Sequence, residues 1–161
     1  MSINRKERLI ARLLRARRTL LAEIDGLTAD QWASAVYSDG AMSRVIDVVN
    51  HLADAESGML RNLQNIVAGG EGVPADFDRD RYNDSRLRKT SARTPADLRS
   101  LLEENRKQLL AFVDGLDEAD LDRQGRHAAL EILPVENHLK IIAIHELSHA
   151  RDIRLALQAR G

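Results

Sequence analysis

The chain has 161 residues, of which 43% are hydrophobic, and this is enough for one domain with a core of its own. Its 24 Lys and Arg balance 25 Asp and Glu, so the near-neutral charge argues against nucleic acid and anionic membranes as main partners. The chain has no cysteine, so a metal site would use imidazole and oxygen ligands, and thiol chemistry would need an external thiol.

The N-terminal segment has arginines between its apolar residues, unlike the continuous apolar stretch of a secretion signal. No segment approaches the roughly 20 apolar residues that cross a bilayer. We therefore expect a cytoplasmic protein that forms a single domain over residues 1–161 and has no membrane partner.

Two segments of the N-terminal half have apolar residues at helical spacing. The first runs from about residue 4 to Gly26 and carries an apolar face of Leu9, Leu13, Leu20, Ile24 and Leu27. The second begins after Ser43, which we expect to cap it, and ends at Gly69 and Gly70. Both segments predict long amphipathic helices.

The next residues, 71–93, have almost no periodic apolar signal and predict a long surface connection. Thr94 as cap, Pro95 at the first helical position and Asp97 near the end of the first turn predict the start of a third helix. Residues 117–133 predict a loop with one short helical turn. Pro134 opens a fourth helix that extends nearly to the C-terminus.

The predicted fold is therefore all-α, a four-helix bundle in which strands are absent or trivial. The connection between the second and third helices is long enough to cross the bundle, so these two helices should be parallel. The fourth helix then runs antiparallel to the second.

Two histidines of the fourth helix, His145 and His149, are four residues apart and share one face, so both rings can reach one ion. A third ligand must come from His51, His127 or His138. The C-terminal end of the second helix lies beside the start of the antiparallel fourth helix, and His51 is about 25 Å from that end. His145 and His149 are about 17 to 23 Å from the start of the fourth helix, whereas His138 is only about 6 Å from it. Depth favours His51, and leaves His138 as an outer polar site or a cap of the core.

The string HELSH also matches the H-E-x-x-H pattern of zinc proteases. Only twelve residues follow it, and they contain neither His nor Glu as a third ligand, which argues against a protease. Glu146 and Arg151 are candidates for a catalytic role in proton transfer or substrate binding. Three carboxylates are spaced to orient the ligand rings: Asp47, Asp54 and Asp152.

The segments VVNHLADAE and HELSHARDI, with the long crossover between the second and third helices, resemble the DinB-like superfamily. This superfamily also contains the YfiT-like metal-dependent hydrolases and the thiol-dependent transferases. The resemblance implies an up-down-down-up four-helix bundle with a zinc or nickel site at His51, His145 and His149. It further implies a low-molecular-weight thiol such as bacillithiol, mycothiol or glutathione, an electrophilic substrate, and a homodimer as a common assembly.

The leading hypothesis is thus a metal-dependent enzyme of the thiol S-transferase type. A hydrolase that uses metal-activated water needs the same ligands, and a non-catalytic metal-binding module would be favoured by a fourth protein ligand. DNA binding through Arg5, Arg8, Arg12 and Arg15 is disfavoured, because aromatic stacking residues are missing and the net charge is near zero.

Overall fold

The computed structural model describes residues 4–160. In chain order its elements are α1 (Arg5–Ile24), α2 (Ala29–Trp32), β1 (Ala35–Ser38), β2 (Ala41–Arg44), α3 (Val45–Val67), α4 (Arg79–Lys89), α5 (Pro95–Asp114), a 3-10 turn (Glu118–Asp122), β3 (Gln124–Arg126), β4 (Ile132–Pro134) and α6 (Val135–Arg160). The four long helices α1, α3, α5 and α6 form a four-helix bundle, which confirms the predicted fold class.

Contacts between the helices give their relative directions. Arg5 pairs with Glu136 and Arg17 pairs with Glu146, so α1 and α6 run parallel. His51 lies against His145 and His149, near the middle of both α3 and α6. Leu63 and Leu109, near the C-terminal ends of α3 and α5, share one core cluster with Leu9 and Leu139, near the N-terminal ends of α1 and α6. The helices α3 and α5 are therefore parallel to each other and antiparallel to α1 and α6, in the up-down-down-up order.

The core has two apolar clusters, one toward each end of the bundle. One contains Leu13, Leu63, Leu109 and Leu139, and the other contains Leu20, Val49, Leu102 and Ile153, all of them buried. These residues repeat at helical spacing on their own helices, so burial of the amphipathic faces accounts for the assembly. Within residues 4–160 no helix has the length and apolar character that spanning a bilayer requires.

The crossover differs from the predicted surface connection, because it contains α4. No residue of α4 is buried, so this helix has no apolar face that a periodicity search could detect. It is held instead by polar contacts: Arg86 donates two hydrogen bonds to Asp54 of α3 from Nε and one from its terminal nitrogen, and Thr90 accepts one from Asn50.

The second predicted helix begins later than expected, and Ser43 does not cap it. Strand β2 runs through Ser43 to Arg44, which occupies the N-cap position of α3. Two short antiparallel hairpins, β1–β2 and β3–β4, are the only strand pairs within the described residues. They are small, but the first of them reaches the histidine cluster.

Candidate metal centre

Three imidazoles converge where α3 faces α6. The Nε2 atom of His145 lies 3.2 Å from Nε2 of His51 and 3.1 Å from Nε2 of His149. The distances follow from sequence spacing, because residues four apart on α6 project from the same face and the antiparallel α3 presents His51 at the same depth. The structure thus brings together the three histidines that the sequence singled out.

The spacing of these nitrogens matches the needs of a metal ion. Zinc binds imidazole nitrogen at about 2.0 to 2.1 Å in tetrahedral geometry, which puts neighbouring ligand atoms about 3.3 Å apart. The two Nε2–Nε2 distances of 3.1 and 3.2 Å are close to this value. The donor set also suits nickel, since imidazole is a ligand for both metals.

All three rings are held in the neutral form that metal binding requires. Burial lowers the pKa of His51 and of His149 below the ordinary value. Burial, together with the neighbouring His149 and His51, lowers the pKa of His145 to about 3. Near neutral pH each ring therefore keeps one nitrogen lone pair.

The tautomer of His149 is fixed by a hydrogen-bond chain from the β1–β2 hairpin. The Ser38 hydroxyl donates to Asp152 at 2.7 Å and lies 2.8 Å from Nδ1 of His149. Because its single proton goes to Asp152, Ser38 accepts from Nδ1–H, and the lone pair of His149 is then on Nε2, facing the other two rings. Asp152, predicted to orient a ligand ring, acts through Ser38.

A fourth group, Asp39, completes the cluster. One of its carboxylate oxygens is 3.3 Å from Nε2 of His149, and ligand atoms of Asp39 and the three histidines all lie within 4.8 Å of one another. Asp39 and Gly40 form the two-residue turn of the hairpin, with φ of 51° and 77°, the left-handed values of a type I′ turn. Unlike the buried His149, the Asp39 side chain is 73% exposed.

Sequence reasoning missed Ser38 and Asp39. An Asp-Gly pair between short segments is the usual hairpin signal, and Val36 and Ser38 alternate as the buried positions of β1. Strands of four residues are too short for an alternation pattern to be distinctive, so the turn dipeptide was the available signal.

The cluster opens into a cavity of about 980 Å³. Its walls come from α3, from α6, from the crossover with α4, and from the loop after β3. His127 and His138 line the same cavity, but among the described residues they do not join the converging set. His138 is buried and donates from Nε2 to the Gly125 carbonyl at 3.0 Å, which agrees with the predicted alternative of a core-capping histidine.

The two predicted catalytic residues do not line this cavity. Arg151 is exposed on α6. Glu146 is rotated by about 100° from His145 around the helix axis and is 3% exposed in the bundle core. Its carboxylate binds Arg17 at 2.6 Å and Arg106 at 2.7 Å, so both oxygens are engaged in ion pairs and neither is free for proton transfer.

The other predicted orienting carboxylates are likewise committed elsewhere. Asp47 pairs with Arg44 at 2.8 Å, and Asp54 pairs with Arg86 at 2.7 Å. On α1, Arg5 pairs with Asp122 and Glu136, so this arginine is part of the packing between α1 and the rest of the bundle.

Sequence comparison matches the DinB superfamily to residues 12–153, which is most of the chain. No curated protein sequence matches the chain. Among solved structures, YfiT from Bacillus subtilis, described as a probable metal-dependent hydrolase with an unusual four-helix bundle topology, superposes with a TM-score of 0.79 at 24% identity. That match covers 99% of this chain and 91% of YfiT.

Two further structures share the fold at lower identity. A mycothiol-dependent maleylpyruvate isomerase has a TM-score of 0.77 at 14% identity, over 92% of this chain and 60% of the isomerase. The colibactin self-resistance protein ClbS, solved in complex with double-stranded DNA, has a TM-score of 0.77 at 15% identity, over 95% of each chain. At these identities the likeness establishes the fold alone.

Proposed function

Because the chain belongs to the DinB superfamily, we propose that His51, His145 and His149 bind one divalent ion, zinc or nickel, and that the protein is a thiol-dependent S-transferase. The observation that carries this proposal is the convergence of three neutral Nε2 atoms at 3.1 and 3.2 Å. An ion bound by three neutral imidazoles lowers the pKa of a thiol or a water molecule that it binds, and so supplies a nucleophile near neutral pH.

The surrounding residues contribute orientation and proton handling. Ser38 and Asp152 keep the lone pair of His149 on Nε2. Asp39 is an exposed carboxylate beside the cluster, where it accepts the proton that a thiol releases and passes it to solvent. Arg151 is exposed and Glu146 is held by two arginines, so we assign the chemistry to Asp39 rather than to either of them.

The cavity and the composition support a thiol that comes from outside. The chain has no cysteine, and the space of about 980 Å³ beside the cluster holds a small thiol together with an electrophile. One structural neighbour is described as mycothiol-dependent, which adds support for a low-molecular-weight thiol.

Two rival functions use the same ligands. A hydrolase would activate water in place of the thiol, in line with the description of YfiT. A metal-binding module without activity would keep Asp39 as a permanent fourth ligand, and the distance of 3.3 Å between Asp39 and His149 is the observation that favours it.

The test begins with metal content. Untagged protein is loaded with zinc, nickel or cobalt, and bound metal is measured by elemental analysis. We expect one ion per chain, almost none in His145→Ala, and one ion in His127→Gln, which changes a histidine of the same cavity outside the cluster. A wild-type protein that stays metal-free with all three ions contradicts the proposal.

The second step separates the three functions. Cobalt-loaded protein is titrated with glutathione, bacillithiol and mycothiol, and a thiolate-to-cobalt charge-transfer band is expected for the thiol that it uses. Zinc-loaded protein should then transfer that thiol to 1-chloro-2,4-dinitrobenzene. Turnover of p-nitrophenyl acetate without thiol identifies the hydrolase instead. A third outcome is that no thiol changes the cobalt spectrum of the wild type, whereas a thiol does change that of Asp39→Asn. Asp39 then occupies the fourth coordination position, and the protein is a metal-binding module without activity.

A further inference from the structure

The loop between β3 and β4 holds a buried hydrogen-bond donor that has no acceptor. Ala129 donates its backbone N–H to Nδ1 of His127 at 3.1 Å, so the proton of the neutral ring is on Nε2. Burial lowers the pKa of His127, which agrees with a neutral ring. Within residues 4–160, Nε2 of His127 is a buried side-chain atom without a hydrogen-bond partner.

Backbone hydrogen bonds hold the loop around His127, and the bond that Nδ1 accepts from Ala129 favours the present orientation of the ring. The His127 amide donates to the Glu131 carbonyl at 2.8 Å, and the Leu130 amide donates to the His127 carbonyl at 2.7 Å. Burial of an unmatched N–H group is unfavourable, and such groups are rare in folded proteins. An acceptor that arrives with a ligand would satisfy it, once a small shift of the ring brings Nε2 to the cavity surface.

His127 lines the cavity that the three-histidine cluster also lines, and so does Arg79, the first residue of α4. The ion pair of Arg79 with Asp80 is long, at 3.6 Å, and its side chain is 56% exposed. Its positive charge contributes to the lowered pKa of His51, His127 and His145, which agrees with a place on the wall of the same cavity.

The other charged groups of this wall are less available. Arg86 is bound to Asp54. Asp80 and Asp84 line the cavity beside Arg79, and over the whole lining five Asp outnumber three Arg, so the cavity has no net positive charge. Any preference for an anion must therefore come from the positions of two hydrogen-bond donors, the cationic Arg79 guanidinium and the neutral Nε2–H of His127.

We propose that the Nε2–H of His127 and the guanidinium of Arg79 form a subsite that binds a carboxylate of the substrate, so that the substrate class is a small organic acid. The identification of this carboxylate with a substrate rests on the proposed function. Binding of a carboxylate does not, because neither residue belongs to the three-histidine cluster.

The probe is propionate, with propionamide as the neutral molecule of the same shape. Binding is measured by calorimetry in metal-free and in zinc-loaded protein, and the imidazole nitrogen resonances of His127 are followed by NMR. We expect His127→Phe to weaken propionate about tenfold in both forms, which corresponds to the loss of one hydrogen bond to a charged acceptor. His127→Gln, which restores an N–H donor, should recover part of the affinity.

The arginine has a matched control on its own helix. Arg81 is exposed on α4 and does not line the cavity. We expect Arg79→Gln to weaken propionate about three- to tenfold and to leave propionamide unchanged, whereas Arg81→Gln should change neither. In the wild type, propionate should shift the Nε2 resonance of His127, a readout that does not depend on how any variant folds.

The subsite is refuted if propionate leaves the Nε2 resonance of His127 unmoved, or if His127→Phe binds propionate as tightly as the wild type. Equal losses in Arg79→Gln and Arg81→Gln refute the role of Arg79. A chain that binds propionate through His127 but takes up no metal refutes the proposed function and keeps the subsite. A chain that binds one ion but fails the propionate test refutes the subsite alone.

Discussion

A closed ring of ion pairs in the centre of the bundle gives the sharpest test of the structure. Arg17 of α1 and Arg106 of α5 each bind both Glu56 of α3 and Glu146 of α6. The side chains of all four are between 4% and 8% exposed. Burial opposes the charge on Arg106, but the two carboxylates raise its pKa above the ordinary value. The ring thus has two positive and two negative charges with little water.

The perturbation is Glu146→Gln, which keeps the shape of the side chain and removes its charge. Arg17 and Arg106 would then share the single carboxylate of Glu56, leaving one buried positive charge uncompensated. Breaking a buried ion pair from one side costs about 3–5 kcal/mol. This is a large part of the roughly 5–15 kcal/mol that stabilises a domain, and it should lower the melting temperature by about 10 °C.

The assay is urea unfolding of the metal-free protein at pH 7, with Glu104→Gln as the control. Glu104 is an exposed glutamate of α5 that accepts a hydrogen bond from Gln108, so its change should stay within about 0.5 kcal/mol. A loss below about 1 kcal/mol for Glu146→Gln would refute the closed ring, because a solvated glutamate would behave in that way.

Replacement of the whole ring separates the charge from the packing. A variant with Arg17→Met, Glu56→Leu, Arg106→Met and Glu146→Leu removes all four charges together. We expect it to equal the wild type in stability or to exceed it by about 1–4 kcal/mol, since the desolvation cost of the four ions disappears with them. If the quadruple variant is as unstable as Glu146→Gln, the single change destabilises the protein through altered packing and not through an uncompensated charge.

Three further predictions concern other parts of the fold. Burial lowers the pKa of His138 below its ordinary value of 6.5, so on acidification the unfolded chain takes up the proton before the folded chain does. The free energy of unfolding should therefore be unaffected by this group above pH 6.5 and should fall as the pH decreases from 6.5 to the folded pKa, by at most about 1.4 kcal/mol per pH unit. An imidazole titration by NMR with a midpoint at or above 6.5 would contradict this. Thr94→Ala removes the side chain that accepts from the Asp97 amide at 3.1 Å and should cost about 0.5–2 kcal/mol in urea unfolding, whereas Thr94→Ser should not. Gly125→Ala places a methyl group against the buried Ile66 side chain and should cost about 1–3 kcal/mol, and an unchanged unfolding midpoint would disprove that close approach.

The parts of the fold that were predictable are those with an apolar face. The helices α1, α3, α5 and α6 carry their buried leucines, isoleucines and valines at helical spacing, and this pattern survives in the sequence. Helix α4 buries no residue and is held by the ion pair of Arg86 with Asp54, a contact between residues 32 positions apart. A contact of that kind leaves no local pattern, so the crossover could be recognised only as long and polar.

The residues of the site likewise divide into those that helical spacing could predict and those that it could not. His145 and His149 are linked by helical spacing, and His51 could be matched to them by depth, because a helix converts residue number into distance at about 1.5 Å per residue. Ser38 and Asp39 reach the cluster from a short hairpin, and no such conversion exists for a turn. The ionic ring was also missed, although Arg17 and Arg106 lie at helical spacing from Leu13 and Leu109, and a charge on an apolar face signals a buried partner.

Glu146 of the ionic ring and His145 of the histidine cluster are adjacent residues of α6. The ring can therefore fix the register of α6 that the metal ligands need. Glu146 is fixed by hydrogen bonds to helices α1 and α5, while His145 must meet His51 of α3. A slip of α6 by one residue would move it about 1.5 Å and turn it by about 100°, which breaks the ring and separates the imidazoles together. An apolar core of the same volume tolerates neighbouring registers, so in the quadruple variant a stable bundle with reduced metal occupancy would identify the ring as the feature that sets the register of the metal ligands.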